Sequence, residues 1–136
     1  MSRFVLDASG LLAYLQDEEG AAEVSEALAV GATIGAANLA EALSKLAGRG
    51  EEPSAVLTEL VDRGVLAGLL EVEPLTLDDA LVIAELRRPT IRHGLGLGDR
   101  ACLALGKRLA LPVLTADRVW RELEPDLGVE VRALRS

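Results

Sequence analysis

Four acidic residues, Asp7, Glu41, Asp99 and Asp117, are placed where their side chains could share one ligand. Asp7 ends the short apolar run Phe4-Val5-Leu6, and Asp117 follows a second such run, Pro112-Val113-Leu114-Thr115. Asp99 opens the apolar helix that leads into that second run. Glu41 lies about one turn into another helical stretch, with Asn38 three residues before it on the same face. Carboxylates gathered without a counter-charge raise one another's pKa and destabilise the fold. A divalent cation removes that cost, and oxygen donors with no His or Cys beside them select a hard ion, Mg²⁺ or Mn²⁺. Such an ion next to a phosphate activates water for in-line attack and neutralises charge on the non-bridging oxygens, which is the chemistry of phosphodiester cleavage. Asp7, Asp99 and Asp117 also fall at predicted helix N-termini, where Asp is a good N-cap, and Glu41 also has the spacing for an ion pair with Lys45.

The elements that must position these residues follow from apolar periodicity. Strands are predicted at residues 3–6, 33–34, 69–73, 112–115 and 129–132. Helices are predicted at 9–16, 20–30, 38–47, from Pro53 towards Gly68, from a Thr76 cap to Arg88, from Asp99 to about 110, and briefly at 117–123. Pro89 is expected to end its helix, leaving 89–98 as the one evident loop. Strands separated by helices imply an α/β fold, a three-layer α/β/α sandwich around a parallel sheet of four to five strands. In such sheets the ligand crevice lies outside the carboxyl ends of the strands, where strand order reverses, and the four acids map to that edge.

At 136 residues the chain has the size of a single domain spanning 1–136, and a core with only 2% aromatic residues must be built from Leu, Val, Ile and Ala. The single cysteine, Cys102, excludes an internal disulfide and a multi-cysteine zinc site; its apolar neighbours predict a buried thiol and fit a reducing cytoplasm. The first residues lack the pattern of a signal peptide, and charges interrupt every apolar stretch, so no membrane association is expected. The net charge of −8 argues against a nucleic-acid partner, but it is unevenly spread. Residues 1–86 hold 4 Lys and Arg against 16 Asp and Glu, whereas residues 87–136 hold 10 against 6. A basic C-terminal half suits phosphates, although a solvated imbalance would read the same.

The phrases Phe4-Val5-Leu6-Asp7-Ala8-Ser9, Ala37-Asn38-Leu39-Ala40-Glu41, Gly98-Asp99-Arg100-Ala101-Cys102-Leu103-Ala104 and Leu114-Thr115-Ala116-Asp117-Arg118-Val119-Trp120 resemble, in order, the four acidic motifs of PIN domains, especially those of VapC-type bacterial toxins. The resemblance covers essentially the whole chain. It implies a Mg²⁺- or Mn²⁺-dependent endoribonuclease acting on RNA, a homodimer, and a cognate antitoxin, with Asp7, Glu41, Asp99 and Asp117 at the metal site. Ser9, Asn38 and Thr115 match polar positions around that site, where a hydroxyl or amide holds a carboxylate in place. Gly35 and Gly96 stand where such toxins often carry serine, so contacts from those hydroxyls are absent here.

Arg100, Arg118 and Arg121 flank the crevice in sequence and are candidates for RNA-backbone contacts, with solvated surface charge as the alternative. The run Gly94-Leu95-Gly96-Leu97-Gly98 lacks the lysine of a phosphate loop, His93 is expected in an exposed loop, and Trp120 is expected to be a packing anchor. Two other functions share parts of this pattern. A catalytically silent PIN-like binding module is disfavoured because no acidic position is missing. A phospho-receiver-like domain wants adjacent acids after the first strand, an acceptor Asp after the third and a Lys after the last, and none of these is present.

Overall fold

Side chains alternate across a strand, so the run Phe4-Val5-Leu6 sends Val5 to one face of a sheet and Leu6 to the other, and both are fully buried. A strand buried on both faces needs helices on both faces. The computed structural model, which describes residues 2–134, meets this requirement with five parallel strands in the order β3-β2-β1-β4-β5. They are β1 (Phe4–Leu6), β2 (Ala32–Gly35), β3 (Leu70–Glu73), β4 (Val113–Thr115) and β5 (Val131–Ala133). The chain steps outward from β1 to β3, then returns to the other side of β1 with β4, so the strand order reverses between β1 and β4.

One face of the sheet packs against α1 (Ala8–Leu15), α2 (Ala21–Val30), α3 (Ala36–Gly48) and α4 (Pro53–Asp62), through Leu6, Leu11, Val24, Ile34, Leu46 and Leu60. The other packs against α5 (Leu77–Thr90), α6 (Leu97–Leu109) and the 3₁₀ segment Arg118–Leu123 that leads into α7 (Glu124–Leu127). Val5, Leu103, Val113, Trp120 and Leu123 form that second core, which Cys102 joins as a buried free thiol. Each large apolar side chain so buried contributes about 1.5–3 kcal/mol. Trp120 is a packing anchor as expected, and its indole Nε1 has no hydrogen-bond partner. At the far end of α6, Arg108 makes a two-pronged pair with Asp79 (3.0 and 3.1 Å), whose carboxylate also closes the Thr76 capping box at the start of α5.

Three sequence expectations need correction. The helix begun at Pro53 ends at Asp62, not near Gly68, because Gly64 adopts φ +81° and its N–H turns back to the Val61 carbonyl; a single π turn, Val65–Leu69, then leads into β3. Pro89 does not stop α5, since it sits in the last turn, where a missing N–H costs one bond at most, and Thr90 Oγ1 donates to the Leu86 carbonyl there (2.6 Å). A 3₁₀ turn, Ile91–His93, follows, so the expected loop 89–98 shrinks to the link around Gly94–Gly96. Finally, α6 starts at Leu97 with Gly96 as N-cap, which puts Asp99 inside the first turn and not at the cap.

Gly106 of α6 lies where the helix closes on the sheet: a Cβ there would stand 2.6 Å from Val113 Cγ2 and 3.0 Å from Val129 Cγ2. Alanine ordinarily gains about 1 kcal/mol over glycine within a helix, but overpacking costs about 1–3 kcal/mol. Gly106→Ala is therefore expected to lower the urea midpoint, and a midpoint at or above that of the parent would show that the α6–sheet contact is looser than described.

Candidate active site

At the end of β1 the backbone of Asp7 stays extended (φ −89°, ψ 177°), and its N–H still donates to the Leu114 carbonyl (3.2 Å), so the residue is held against β4. Its Oδ1 accepts the Gly10 N–H (2.8 Å), which makes Asp7 the N-cap of α1. The same carboxylate accepts the Ser9 hydroxyl (2.7 Å to Oδ1) and the Thr115 hydroxyl (2.6 Å to Oδ2). Capping and site-building are thus one arrangement, not alternatives. Asp7 is only 4% exposed, and among the described residues no Lys or Arg is ion-paired with it. Burial pushes its carboxyl up to about 6, against the pull of the hydrogen bonds from Thr115, Ser9 and Gly10, and the charge of Asp99 adds to the rise.

Thr115, the last residue of β4, also accepts the Asp117 N–H on its hydroxyl (3.0 Å), and the Ser9 hydroxyl accepts the Ala116 N–H (2.9 Å). Two hydroxyls thereby stitch the carboxyl ends of β1 and β4 together around Asp7. On the other side, Asn38 of α3 is buried and its Nδ2 donates to the Gly98 carbonyl (2.8 Å), tying α3 to the start of α6. The Asn38 Oδ1 has no partner, and a Cβ at Gly35 would stand 3.1 Å from it.

That tie sets Glu41 over Gly98, the residue before Asp99. The Glu41 carboxylate lies over Gly98, where a Cβ would be 2.7 Å from Oε1, and Asp99 accepts the Gly96 N–H on Oδ2 (2.9 Å). This is half of a capping box, the other half needing the hydroxyl that Gly96 lacks. Burial pushes the Cys102 thiol beneath the site well up, and the charges of Asp7, Asp99 and Glu41 all add to it. All three carboxylates thus act on one buried group, without themselves forming a closed cluster. The expected Lys45 pair also exists, with Nζ 3.8 Å from Glu41 Oε2, but both side chains are exposed and such a pair contributes about 1 kcal/mol or less.

Asp117 follows Thr115, the residue whose hydroxyl bonds Asp7. Its side chain is exposed and its Oδ1 accepts the Val119 N–H (3.0 Å), capping the following 3₁₀ turn. Among the described residues, no three His, Cys, Asp or Glu side chains form a group that would hold a metal ion as they stand. Of the expected supporting residues, Ser9 and Thr115 bond Asp7 directly, whereas Asn38 acts on the backbone at Gly98. Arg100 is not available to a polyanion: it is 8% exposed and Nη1 donates to the Ile83 carbonyl (2.9 Å), because its position on α6 faces α5. Arg118 and Arg121 are exposed, and His93 is exposed with Nε2 3.8 Å from Glu122. Sequence reasoning missed the role of Gly98, whose signal was a residue without a side chain just before Asp99 on a helix.

The Asp7 carboxyl makes stability depend on pH in a defined direction. With a folded pKa raised to about 6, the folded state binds the extra proton between pH 4 and 6, so stability falls as pH rises through that window. In divalent-free buffer, Asp7→Asn is expected to abolish this loss and to exceed the parent in stability at pH 7.5 by up to about 3 kcal/mol, the gain vanishing near pH 4. Urea unfolding at both pH values checks this, and an Asn variant weaker than the parent at pH 7.5 would refute it.

The description "PIN domain" belongs to the family model that matches residues 4–124 of this chain. A search of curated protein sequences finds no match. Among solved structures, DNA-bound VapBC from Salmonella typhimurium superposes with a TM-score of 0.69 at 20% identity, covering 99% of this chain and 100% of that one. FitAcB from Neisseria gonorrhoeae gives 0.68 at 21% identity, with 94% and 95% covered. VapC20 from Mycobacterium tuberculosis, described as a sarcin-ricin loop cleaving toxin, gives 0.69 at 14% identity, with 89% and 95% covered. At these identities the structural likeness establishes a shared fold. Together with the family match over most of its length, it shows that the chain belongs to the PIN domain family.

Proposed function

We propose that the chain is a single-domain, Mg²⁺- or Mn²⁺-dependent endoribonuclease, the toxin of a toxin-antitoxin pair. The observation that carries the reading is the buried Asp7 carboxylate, held by hydroxyls and an amide, with the charge of Asp99 adding to its raised pKa and, among the described residues, no Lys or Arg paired to it. A fold that keeps such charges together without a counter-charge is built to receive one. The donor set fits a hard divalent ion, being all oxygen, and Asp7, Glu41 and Asp99 would hold it with Asp117 as the outermost member. Bound there, the ion would supply counter-charge and polarise a phosphodiester for attack by water.

The residues of the chain have separable tasks. Ser9 and Thr115 fix the Asp7 carboxylate in one orientation, and Asn38 fixes the peptide that carries Asp99. Arg118 and Arg121, both exposed, would meet the RNA backbone near Asp117. The neighbours named VapBC and FitAcB, and the toxin described as cleaving the sarcin-ricin loop, support RNA as substrate and a cognate antitoxin as partner. A homodimer and a cytoplasmic location complete the reading. No helix among the described residues is long and apolar enough to cross a membrane.

Incubation of the purified protein with total RNA, with Mg²⁺, Mn²⁺ or EDTA, is expected to show cleavage only with a divalent ion. Asp7→Asn and Asp99→Asn should remain folded and lose cleavage; full activity in either variant would overturn the proposal. Mn²⁺ should stabilise the parent by mass action, by about 2.7 kcal/mol at a hundredfold excess over Kd, and so raise its melting temperature, and should stabilise Asp7→Asn far less. Gly98→Ala should fold normally, because only the flexible end of Glu41 must move, yet lose about 10–100-fold in metal affinity or activity. An unchanged metal titration would show that the Glu41 position is irrelevant.

A further inference from the structure

A pocket of about 330 Å³ opens directly beside Ser9. One wall is a single face of α1, where Ser9, Leu12, Ala13 and Gln16 follow one another at helical spacing. Leu134, just past β5, completes an apolar floor with Leu12 and Ala13. The remaining walls are polar and charged, and two arginines, Arg49, the C-cap of α3, and Arg118, just past β4, both line them. Arg49 Nη1 donates to Gln16 Oε1, a neutral acceptor that orients the guanidinium and leaves its charge intact. Among the described residues, neither arginine is ion-paired to a carboxylate. Glu18 and Glu19 also line the pocket and are exposed, as the two arginines are, so the formal charges of its lining balance in a chain of net charge −8. What suits a phosphate is the pair of guanidinium donors that line one cavity.

The position of the pocket gives it a function. Ser9 forms part of its wall and bonds Asp7, and Arg118 follows Asp117 directly, so the cavity adjoins the carboxylate crevice at the β4 end. We propose that it receives the nucleotide next to the scissile phosphate, with Arg49 and Arg118 taking its phosphate and the Leu12, Ala13 and Leu134 floor taking its ribose and base. This inference rests on the ribonuclease reading for the neighbouring site. It adds Arg49 and Gln16, which lie in the acidic half of the sequence, to the residues that hold substrate. Arg binds phosphate in a rigid two-pronged geometry, and Gln16 supplies the orientation that makes Arg49 specific to this cavity.

Binding of a fluorescein-labelled ten-nucleotide single-stranded RNA, followed by anisotropy in EDTA, reads the pocket without cleavage. Arg49→Gln and Arg118→Gln are each expected to weaken binding about tenfold, and to reduce the slope of log K against log salt by about 0.7, the value for one lost contact to a single strand. Lys107→Gln, an exposed cation near the C-terminal end of α6, should change neither. Melting temperatures of all three should match the parent, since the three side chains are exposed. Unchanged affinity and slope in both pocket variants would overturn the inference, as would an equal loss in Lys107→Gln, which would indicate diffuse attraction. The two readings fail separately. Pocket-dependent binding with no cleavage in Mn²⁺ would sink the nuclease and leave a nucleotide-binding pocket. Cleavage with an unchanged KM in both pocket variants would sink the pocket alone, whereas a raised KM at constant kcat supports it.

Discussion

The structure is organised around one unfavourable event, the burial of the Asp7 carboxylate at the end of the central strand with no Lys or Arg among the described residues paired to it. Holding that group at about 6 in place of its usual value near 4 costs the metal-free protein about 3 kcal/mol at neutral pH. Against a typical net stability of about 5–15 kcal/mol the cost is large, and two apolar cores on either side of the sheet offset it. The hydrogen bonds to Asp7 do more to orient it than to relieve it. They come from α1 and β4, so the orientation is set only once β1 and β4 are paired.

Residues with small or absent side chains place the other carboxylates. Gly98 leaves the space that Glu41 occupies, and Gly35 lets the Asn38 amide sit close to the β2–α3 turn. Asn38 in turn grips the Gly98 carbonyl. The helix segment that carries Glu41 and the one that carries Asp99 are thereby joined at Gly98, even though they are far apart in sequence. Their charges reach the buried Cys102 thiol together with that of Asp7, whereas Asp117 remains at the rim, occupied with its own turn.

The distribution of arginines shows why a charge count along the sequence is a poor map of a surface. Arg100 sits next to Asp99 in sequence yet is spent on the Ile83 carbonyl between α5 and α6. Arg49 belongs to the strongly acidic half of the chain, yet it faces the same cavity as Arg118. Helix geometry decides both cases: one residue of rotation carries Arg100 inward, and the length of α3 carries Arg49 around to the loop after β4.

The sequence alone determined the parallel α/β order, all five strands to within two residues, and the four acidic positions, because each depends on local patterns: short apolar runs, caps, and helical spacing. It misplaced boundaries wherever a backbone constraint was tolerated or imposed by context, as with Pro89 inside the last turn of α5 and Gly64 ending α4. Tertiary structure decided which acid is buried, which arginine is buried, and that Asp7 carries a raised pKa. Those properties depend on distances between segments that no periodicity encodes, and on removal from water, which only the folded packing of β1 against β4 and α6 brings about.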